Sequence, residues 1–261
     1  MSIVHVWKPS AGSSSSRHSR DPWTEETIGG IFARQGRRSL VFDVDATRQA
    51  ARQRALPCDR VLPAAKRRLD AVCAPGDIGR KRGEVVRTRT TALQIHTRQW
   101  IGTYAGKGNG DYRAELASAL RAITASVKHC AFRPAMALIR LDGAYGDATV
   151  VAQLQLAGTP FVTRWRGYLL LEHPQIQRVL AHGPTTSMTR MNSGQVVEVF
   201  DGGWLKLHEE LSAVRVIVAR HLAPPAGQQI PVGKRIGEWV YELFITMLGS
   251  EGFLVEDVLD L

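Results

Sequence analysis

Cysteine pairs, long apolar runs and a secretory leader are all missing from this 261-residue sequence. Its three cysteines, Cys58, Cys73 and Cys130, are scattered and form no CxxC pair, which excludes a disulfide scaffold and a cysteine zinc site. No run of about 18 apolar residues occurs, so no segment is expected to span a membrane. The first twenty residues have no apolar signal-peptide core. These absences predict a chain of the reducing cytoplasm.

Positive charge is abundant and unevenly distributed. The formal net charge is +10, and residues 1–100 hold 19 Lys/Arg against 9 Asp/Glu, whereas residues 101–261 hold 15 of each. A one-sided basic field favours a polyanionic partner, for which nucleic acid is the first candidate. A basic surface that only aids solubility is the alternative reading of the same charge. If the partner is DNA, the expected location is the nucleoid.

The middle of the chain alternates between strand and helix patterns. SLVFDVDAT (39–47), TALQIHTRQWIGTY (91–104), ALIRL (137–141) and PFVTRWRG (160–167) read as strands. Apolar residues at Leu116, Leu120, Ile123 and Val127 lie on one face of a predicted helix at 111–128, and a second helix is predicted at 147–158. This alternation predicts an α/β fold with a sheet flanked by helices.

The flanking regions have other compositions. Residues 1–38 read as a polar tail and lead-in, and residues 48–89 as a basic, loop-rich excursion. Beyond residue 160 strands predominate: QVVEVFDGGWLKL (195–207) reads as a hairpin that turns at Asp201-Gly202-Gly203, and 213–220 and 238–247 as further strands.

Two acids stand out because each follows an apolar strand. Asp45, with Asp43 two residues before it, ends the first strand, and Asp142 ends ALIRL. Functional sites of α/β sheets form at the carboxyl ends of strands. Two carboxylates that meet there suit Mg²⁺ or Mn²⁺, which take hard oxygen ligands. Asp also caps turns after strands for purely structural reasons, so this alternative stays open.

Several blocks of the sequence resemble insertion-sequence transposases of the DDE type. They are LVFDVDATRQAARQRALP, HTRQWIGTYAGKGNGDYRAEL, IRLDGAYGDATVVAQLQLAGTPFVTRWRGY, GEWVYELFITML and GFLVEDVLDL, in the family's order from about residue 39 to residue 261. Asp45-Ala46-Thr47 matches the family's first catalytic motif, and Asp142-Gly143-Ala144-Tyr145-Gly146 its second. The resemblance implies that Asp45 and Asp142 are catalytic metal ligands, with Asp43 as the alternative to Asp45.

The resemblance also implies a fold and a domain division. It implies a ribonuclease-H-like mixed sheet flanked by helices, with its first part at 39–159, a β-rich insertion at 160–235 and a return to the core at 236–261. The implied activity is DNA transposition, in which strands are cleaved and transferred with Mg²⁺ or Mn²⁺. The implied partners are DNA, at transposon ends and target, and a second copy or a full-length transposase.

The third catalytic acid of the family has no match here. The family carries it on a helix in the pattern Tyr-x-x-Arg-x-x-x-Glu, and Tyr241 has Phe244 where that Arg belongs. The resemblance therefore implies a core that is truncated before this helix and shortened at its N-terminal side. We expect that the chain alone does not cleave DNA.

Residues for DNA binding are predicted from charge and position. Arg48, Arg52 and Arg54 belong to the basic excursion, Lys107 to the glycine-rich loop GKGNGD, and Arg164 and Arg166 to one face of a predicted strand. None of these positions forms a Walker or GxGxxG motif.

Two other functions remain open. A haloacid-dehalogenase-type phosphatase begins with an apolar strand ending Asp-x-Asp-x-Thr, which Asp43 to Thr47 fit; Asp43 is then the nucleophile and Asp45 the general acid. The resemblance to this family covers only two short stretches. The third reading is a non-catalytic transposase remnant that only binds DNA.

Overall fold

A computed structural model describes residues 30–51, 74–75, 85–108, 111–190, 193–225, 227–230 and 232–261. The strands are β1 Ile31–Phe32, β2 Arg38–Ala51, β3 Ala74–Pro75, β4 Val85–Gln94, β5 Gln99–Gly106, β6 Ala137–Leu141, β7 Phe161–Trp165, β8 Thr186–Thr189, β9 Val196–Leu205, β10 Val214–Leu222, β11 Lys234–Ile236 and β12 Trp239–Thr246. The α-helices are α1 Arg113–His129, α2 Ala148–Leu156, α3 Pro174–His182 and α4 Val255–Asp260.

The strands form one large mixed sheet. In its central part β5 pairs with β4, β4 lies antiparallel to β2, and β2, β6 and β7 run parallel to one another. Beyond β7 the order continues β12, β10, β9 and β8, each antiparallel to its neighbour. The predicted α/β class, with a mixed sheet and helices beside it, is confirmed.

The residues of β2 alternate between two apolar layers. Leu40, Phe42 and Val44 point to the layer that α1 and α2 cover. Val41 points to the opposite layer, where it joins Leu138 and Val162 of the parallel strands and Phe253, Val255 and Val258 around α4. Successive side chains of a strand point to opposite faces, so odd-numbered residues of β2 share the α4 face.

Helix α1 follows the predicted pattern. Leu116, Leu120, Ile123 and Val127 are all buried against the sheet. Its boundaries, Arg113–His129, agree with the predicted 111–128 to within two residues. Spacings of four, three and four residues keep these side chains on one face, which is why the periodicity was sufficient here.

Helix α2 also lies where the sequence places it. Asp147 is its N-cap, and its Oδ1 accepts a hydrogen bond of 3.0 Å from the backbone N–H of Val150. Gly158, just beyond the C-terminal end, has φ +61°, which a glycine adopts without steric cost. These two residues fix the start and end of the predicted 147–158 helix.

The segment 91–104 was predicted as one strand, which is wrong: it is the hairpin of β4 and β5. The chain turns at residues 95–98, where the Gln94 side chain accepts a 2.6 Å hydrogen bond from the Thr97 N–H and Arg98 has φ +58°. His96 in this turn accepts a hydrogen bond from the Val41 N–H at 3.2 Å. Side chains rather than glycine or proline make this turn, so the sequence carries no turn signal.

The predicted hairpin at 195–207 is also wrong, because β9 is continuous from Val196 to Leu205. The β9–β10 register shifts between Val216 and Ile217, which pair with Gly203 and Asp201, so Gly202 is the extra residue of a β-bulge. A side chain at Gly202 would lie 2.5 Å from Ile176 Cδ1. Glycines that read as a turn therefore bend a strand instead.

The predicted excursion and insertion lie only partly in the described residues. Within 48–89, the described ends belong to β2, β3 and β4. Within 160–235, β7 is parallel to β6, while β8, β9 and β10 lie further along the same sheet, with β12 between β7 and β10. Residues 1–29 of the predicted tail are outside the described part. In the described ranges no helix has both the length and the apolar character needed to cross a membrane.

Candidate functional site

A cavity of about 340 Å³ opens on the α4 face of the sheet, where parallel strands end. Its walls come from β2, β6, β7, β12 and α4. The lining residues are Asp43, Val44, Asp45, Arg140, Leu141, Asp142, Val162, Thr163, Arg164, Phe244, Val258, Leu259 and Leu261. Acidic and basic side chains thus share one opening above an apolar floor.

The parallel register brings Asp45 and Asp142 to this cavity together. Val44 pairs with Leu141; Asp45 is the next residue of β2, and Asp142 is the first residue after β6. Neighbouring strands lie about 4.8 Å apart, so the two acids are neighbours across the sheet. They are 97 residues apart in sequence, and both are exposed to solvent. The structure therefore brings together the two acids that the sequence singles out.

The surroundings of Asp142 work against its negative charge. Partial burial raises the pKa of Asp142, and the charge of Asp45 raises the pKa further. A hydrogen bond of 2.9 Å from the Ala144 N–H, together with the charges of Arg164 and Arg166, opposes this rise. Two carboxylates that repel each other at an open cavity gain from any cation placed between them.

The turn after Asp142 packs tightly against β7. The hydroxyl of Thr163 donates to the Asp142 carbonyl at 3.1 Å. A Cβ at Gly146 would lie 1.9 Å from the Arg164 carbonyl oxygen, so only glycine fits there. The buried Tyr145 places its ring 5.2 Å from that of Tyr112. Burial also raises the pKa of Tyr145 above its ordinary value. This packing fixes where the Asp142 carboxylate stands.

The motif Asp45-Ala46-Thr47 makes a local contact. The Thr47 hydroxyl donates a hydrogen bond of 3.2 Å to Asp45 Oδ2. Positions 45 and 47 are two apart on β2, so both lie on the cavity face. The threonine orients the carboxylate and leaves Asp45 Oδ1 without a hydrogen bond in the described residues.

Asp43 is engaged differently. The Arg140 guanidinium donates to both of its oxygens, at 2.5 Å and 2.6 Å, and also donates to the Leu261 carbonyl. Such a two-pronged pair fixes a carboxylate in position. In the phosphatase alternative, the nucleophile would therefore be a carboxylate that an arginine holds by both oxygens.

The predicted DNA-binding residues are divided among three places. Arg164 lines the cavity, and Arg166 lies beside Asp142 and pairs with Asp147 at 3.2 Å. Arg48 lies on the opposite face of β2, 3.4 Å from the Tyr112 hydroxyl. The exposed Lys107 follows β5, away from the cavity. Arg52 and Arg54 lie outside the described residues.

Sequence reasoning missed Glu242 and Phe244 of β12. Phe244 lines the cavity, and its ring lies 5.7 Å from the guanidinium carbon of Arg164. Glu242 is fully buried and forms ion pairs with Arg164 and Arg190. An acid at an inward position of the apolar run EWVYELFITM was the available signal, because buried acids need partners.

A cation at this cavity would depend on few protein ligands. Within the described ranges no group of three or more acidic, histidine or cysteine side chains is arranged to hold a metal. The two carboxylates still fit Mg²⁺ or Mn²⁺, because Mg²⁺ commonly takes one or two carboxylates and completes its shell with water and substrate phosphates.

Comparisons with known proteins give a distant structural likeness. No protein-family model matches the chain, and no curated protein matches it. Among solved structures, the cryo-EM structure of a piggyBac transposase synaptic complex with hairpin DNA is similar, with a TM-score of 0.36 and 14% sequence identity over 78% of this chain. The match covers 32% of that transposase chain, so this chain spans about a third of its length.

Proposed function

We propose that this chain is the carboxylate-bearing core of a DDE-type transposase, with a ribonuclease-H-like fold, that binds DNA and a divalent cation. The observation that carries the proposal is the meeting of Asp45 and Asp142 at one cavity on neighbouring parallel strands. The strand order supports it, because β2 lies between an antiparallel and a parallel neighbour, as a ribonuclease-H-like mixed sheet requires.

Asp45 and Asp142 hold the cation in this proposal. When bound, Mg²⁺ or Mn²⁺ supplies positive charge that stabilises the oxygens of a phosphodiester undergoing displacement. The protein contributes fixed carboxylates: Thr47 orients Asp45, and the turn that follows Asp142 orients that side chain. The pKa of Asp142 is raised first by burial and further by the charge of Asp45, and a bound cation would offset this repulsion.

Arginines beside the carboxylates bind the DNA backbone. Arg164 and Arg166 follow Asp142 on the next strand, so phosphates that reach the cation also meet positive charge. Arg48 and Lys107 are exposed away from the cavity, so in this proposal they contact DNA only outside the carboxylate site. Phosphate contacts of this kind provide affinity without reading sequence, and salt weakens them.

Binding of a DNA duplex tests the proposal. We expect affinity that falls steeply with salt and rises with Mn²⁺, and we expect the effect of Mn²⁺ to be lost in Asp45→Asn and Asp142→Asn. Glu209→Gln is the matched control, because it removes one exposed carboxylate far from the cavity. DNA binding that is absent, or equally sensitive to Mn²⁺ in Asp142→Asn, contradicts the proposal.

Strand cleavage is a separate question. Because Arg140 engages the third cavity acid, Asp43, only Asp45 and Asp142 are offered to a cation in the described residues, and we expect the chain to bind supercoiled plasmid with Mn²⁺ without nicking it. A second copy or a full-length transposase is the expected source of the remaining ligand. Robust nicking that requires metal and vanishes in Asp142→Ala refutes the expectation of inactivity but supports the assignment of the carboxylates.

A further inference from the structure

Arg164 stands between two sites of negative charge. On β7 it lines the cavity beside Asp142, and its charge lowers the pKa of that acid. On its other side, its Nη2 lies 3.6 Å from Oε2 of Glu242, which is beyond hydrogen-bond length. The side chain is 43% exposed, and its guanidinium makes no hydrogen bond within the described residues.

The other two arginines near Asp142 already donate hydrogen bonds to acids. Arg140 holds both oxygens of Asp43, and Arg166 donates to Asp147 at 3.2 Å. A guanidinium carries five N–H donors, and a phosphate oxygen is their best-matched partner. Among these three arginines, Arg164 is the one that both lines the cavity and makes no hydrogen bond within the described residues, so all of its donors can meet a ligand there.

Glu242 attracts the Arg164 guanidinium by charge without accepting a hydrogen bond from it. Its side chain is 2% exposed, and Arg190 donates to Oε1. Its Oε2 is buried and has no hydrogen-bond partner in the described residues. An unpaired buried carboxylate oxygen is costly, so this oxygen attracts the positive charge of Arg164, whose Nη2 lies 3.6 Å away.

Attraction from both sides explains the position of Arg164. Without Glu242, the guanidinium would fold onto Asp142 and compete with a metal ion for that carboxylate. With Glu242 beneath one side and the Phe244 ring 5.7 Å away, it stays between the two acids. The antiparallel register pairs Phe244 with Arg164 and therefore places Glu242 one step further along the same face.

We propose that Glu242 is a positioning residue, which holds Arg164 at the edge of the Asp45–Asp142 cavity so that its guanidinium binds a phosphate oxygen of the DNA backbone. This inference rests on the proposed function, because it names the group that Arg164 meets at the same site. Glu242 itself touches neither DNA nor cation.

The salt dependence of DNA binding tests this role. Each phosphate contact contributes about −0.9 to the slope of log K against log [salt]. We expect Arg164→Gln to reduce the magnitude of this negative slope by about 0.9, Glu242→Gln to reduce it by the same amount, and the double variant to reduce it no further. A purely structural Glu242 would reduce thermal stability and leave this slope unchanged.

Arg190→Gln is the matched control, because it breaks the other ion pair of the same glutamate. We expect it to lower the melting temperature and to keep the wild-type slope. A wild-type slope in Glu242→Gln, or additive losses in the double variant, overturns the inference while leaving the proposed function intact. Absence of DNA binding by the wild-type chain overturns both.

Arginine-selective modification of the wild-type chain gives a test that needs no variant to fold. With phenylglyoxal and peptide mass mapping, bound duplex is expected to protect Arg164 several-fold, whereas the exposed Arg178 on α3 reacts equally with and without DNA. Equal reactivity of Arg164 in the presence of saturating DNA overturns the inference.

Discussion

Removing the charge of Asp142 should stabilise the folded chain. In Asp142→Asn the side chain keeps its shape, and its Oδ1 still accepts the 2.9 Å hydrogen bond from the Ala144 N–H. The substitution removes the negative charge of residue 142 and with it the repulsion between that charge and Asp45. This repulsion contributes to the raised pKa of Asp142. Sites that gather like charge for a ligand commonly lower stability in this way.

The size of the effect follows from the geometry. Neighbouring strands lie about 4.8 Å apart, so the two carboxylate charges are separated by about 6 Å. At an effective dielectric constant of about 40, suited to exposed groups, their repulsion is about 1.4 kcal/mol. Arg164 and Arg166 offset part of it. We therefore expect Asp142→Asn to raise the free energy of unfolding by about 1 kcal/mol at pH 7.

Urea unfolding in EDTA measures this difference. Because the folded-state pKa of Asp142 lies above its unfolded value, wild type loses stability as pH rises through that interval. The advantage of Asp142→Asn is therefore complete at pH 7 and disappears below about pH 3.8. Glu209→Gln, an exposed change elsewhere, should stay within about 0.5 kcal/mol of wild type. A variant less stable than wild type at pH 7 refutes the reasoning.

Three further changes give separate tests. Asp43→Asn removes the charged partner of Arg140 and should cost about 1 kcal/mol in urea unfolding, with Mn²⁺ binding unchanged. Phosphate-ester hydrolysis that this variant abolishes would instead support a phosphatase. Burial lowers the pKa of His96 to about 4 from 6.5, so unfolding curves should show about 1–2 kcal/mol lost between pH 6.5 and 4 after allowance for solvent screening, and His96→Gln should lack this loss. Gly146→Ala places a Cβ 1.9 Å from a β7 carbonyl oxygen and should cost about 2–4 kcal/mol by thermal melting; an unchanged melting temperature argues against the packing of that turn.

The sequence predicted best those features that depend on residues close to one another along the chain. The spacing of Leu116, Leu120, Ile123 and Val127 was sufficient to predict α1, because a helix is decided by contacts within a few residues. Asp45 and Asp142 were visible because each follows an apolar run. The prediction that Asp45 ends its strand is wrong, since β2 continues to Ala51, but the parallel pairing of β2 with β6 ends at Val44 and Leu141, just before the two acids.

Contacts between residues far apart in the chain could not be predicted from the sequence. Asp43 and Asp45 share a face of β2, and the local sequence does not distinguish them. The structure does, because Arg140, which lies 97 residues from Asp43 in sequence, donates to both oxygens of Asp43. The glycines at 202–203 predict a turn, but pairing with β10 along the whole of β9 makes Gly202 a bulge. Asp201 then pairs with the buried Arg215, which anchors the bulge.

Glu242 shows the same limit. Its position in an apolar run marks it as unusual. Its interactions, however, are with Arg164 and Arg190, which lie 78 and 52 residues away in sequence. Only the order β7–β12 brings the first of these arginines alongside it.

Binding of Mn²⁺, followed by electron paramagnetic resonance, tests most directly whether Asp45 and Asp142 act as one site. The account predicts one ion per chain for wild type and Glu209→Gln, and affinity lowered at least tenfold in both Asp45→Asn and Asp142→Asn. Unchanged affinity in either of these two variants, or no binding by wild type, would contradict it.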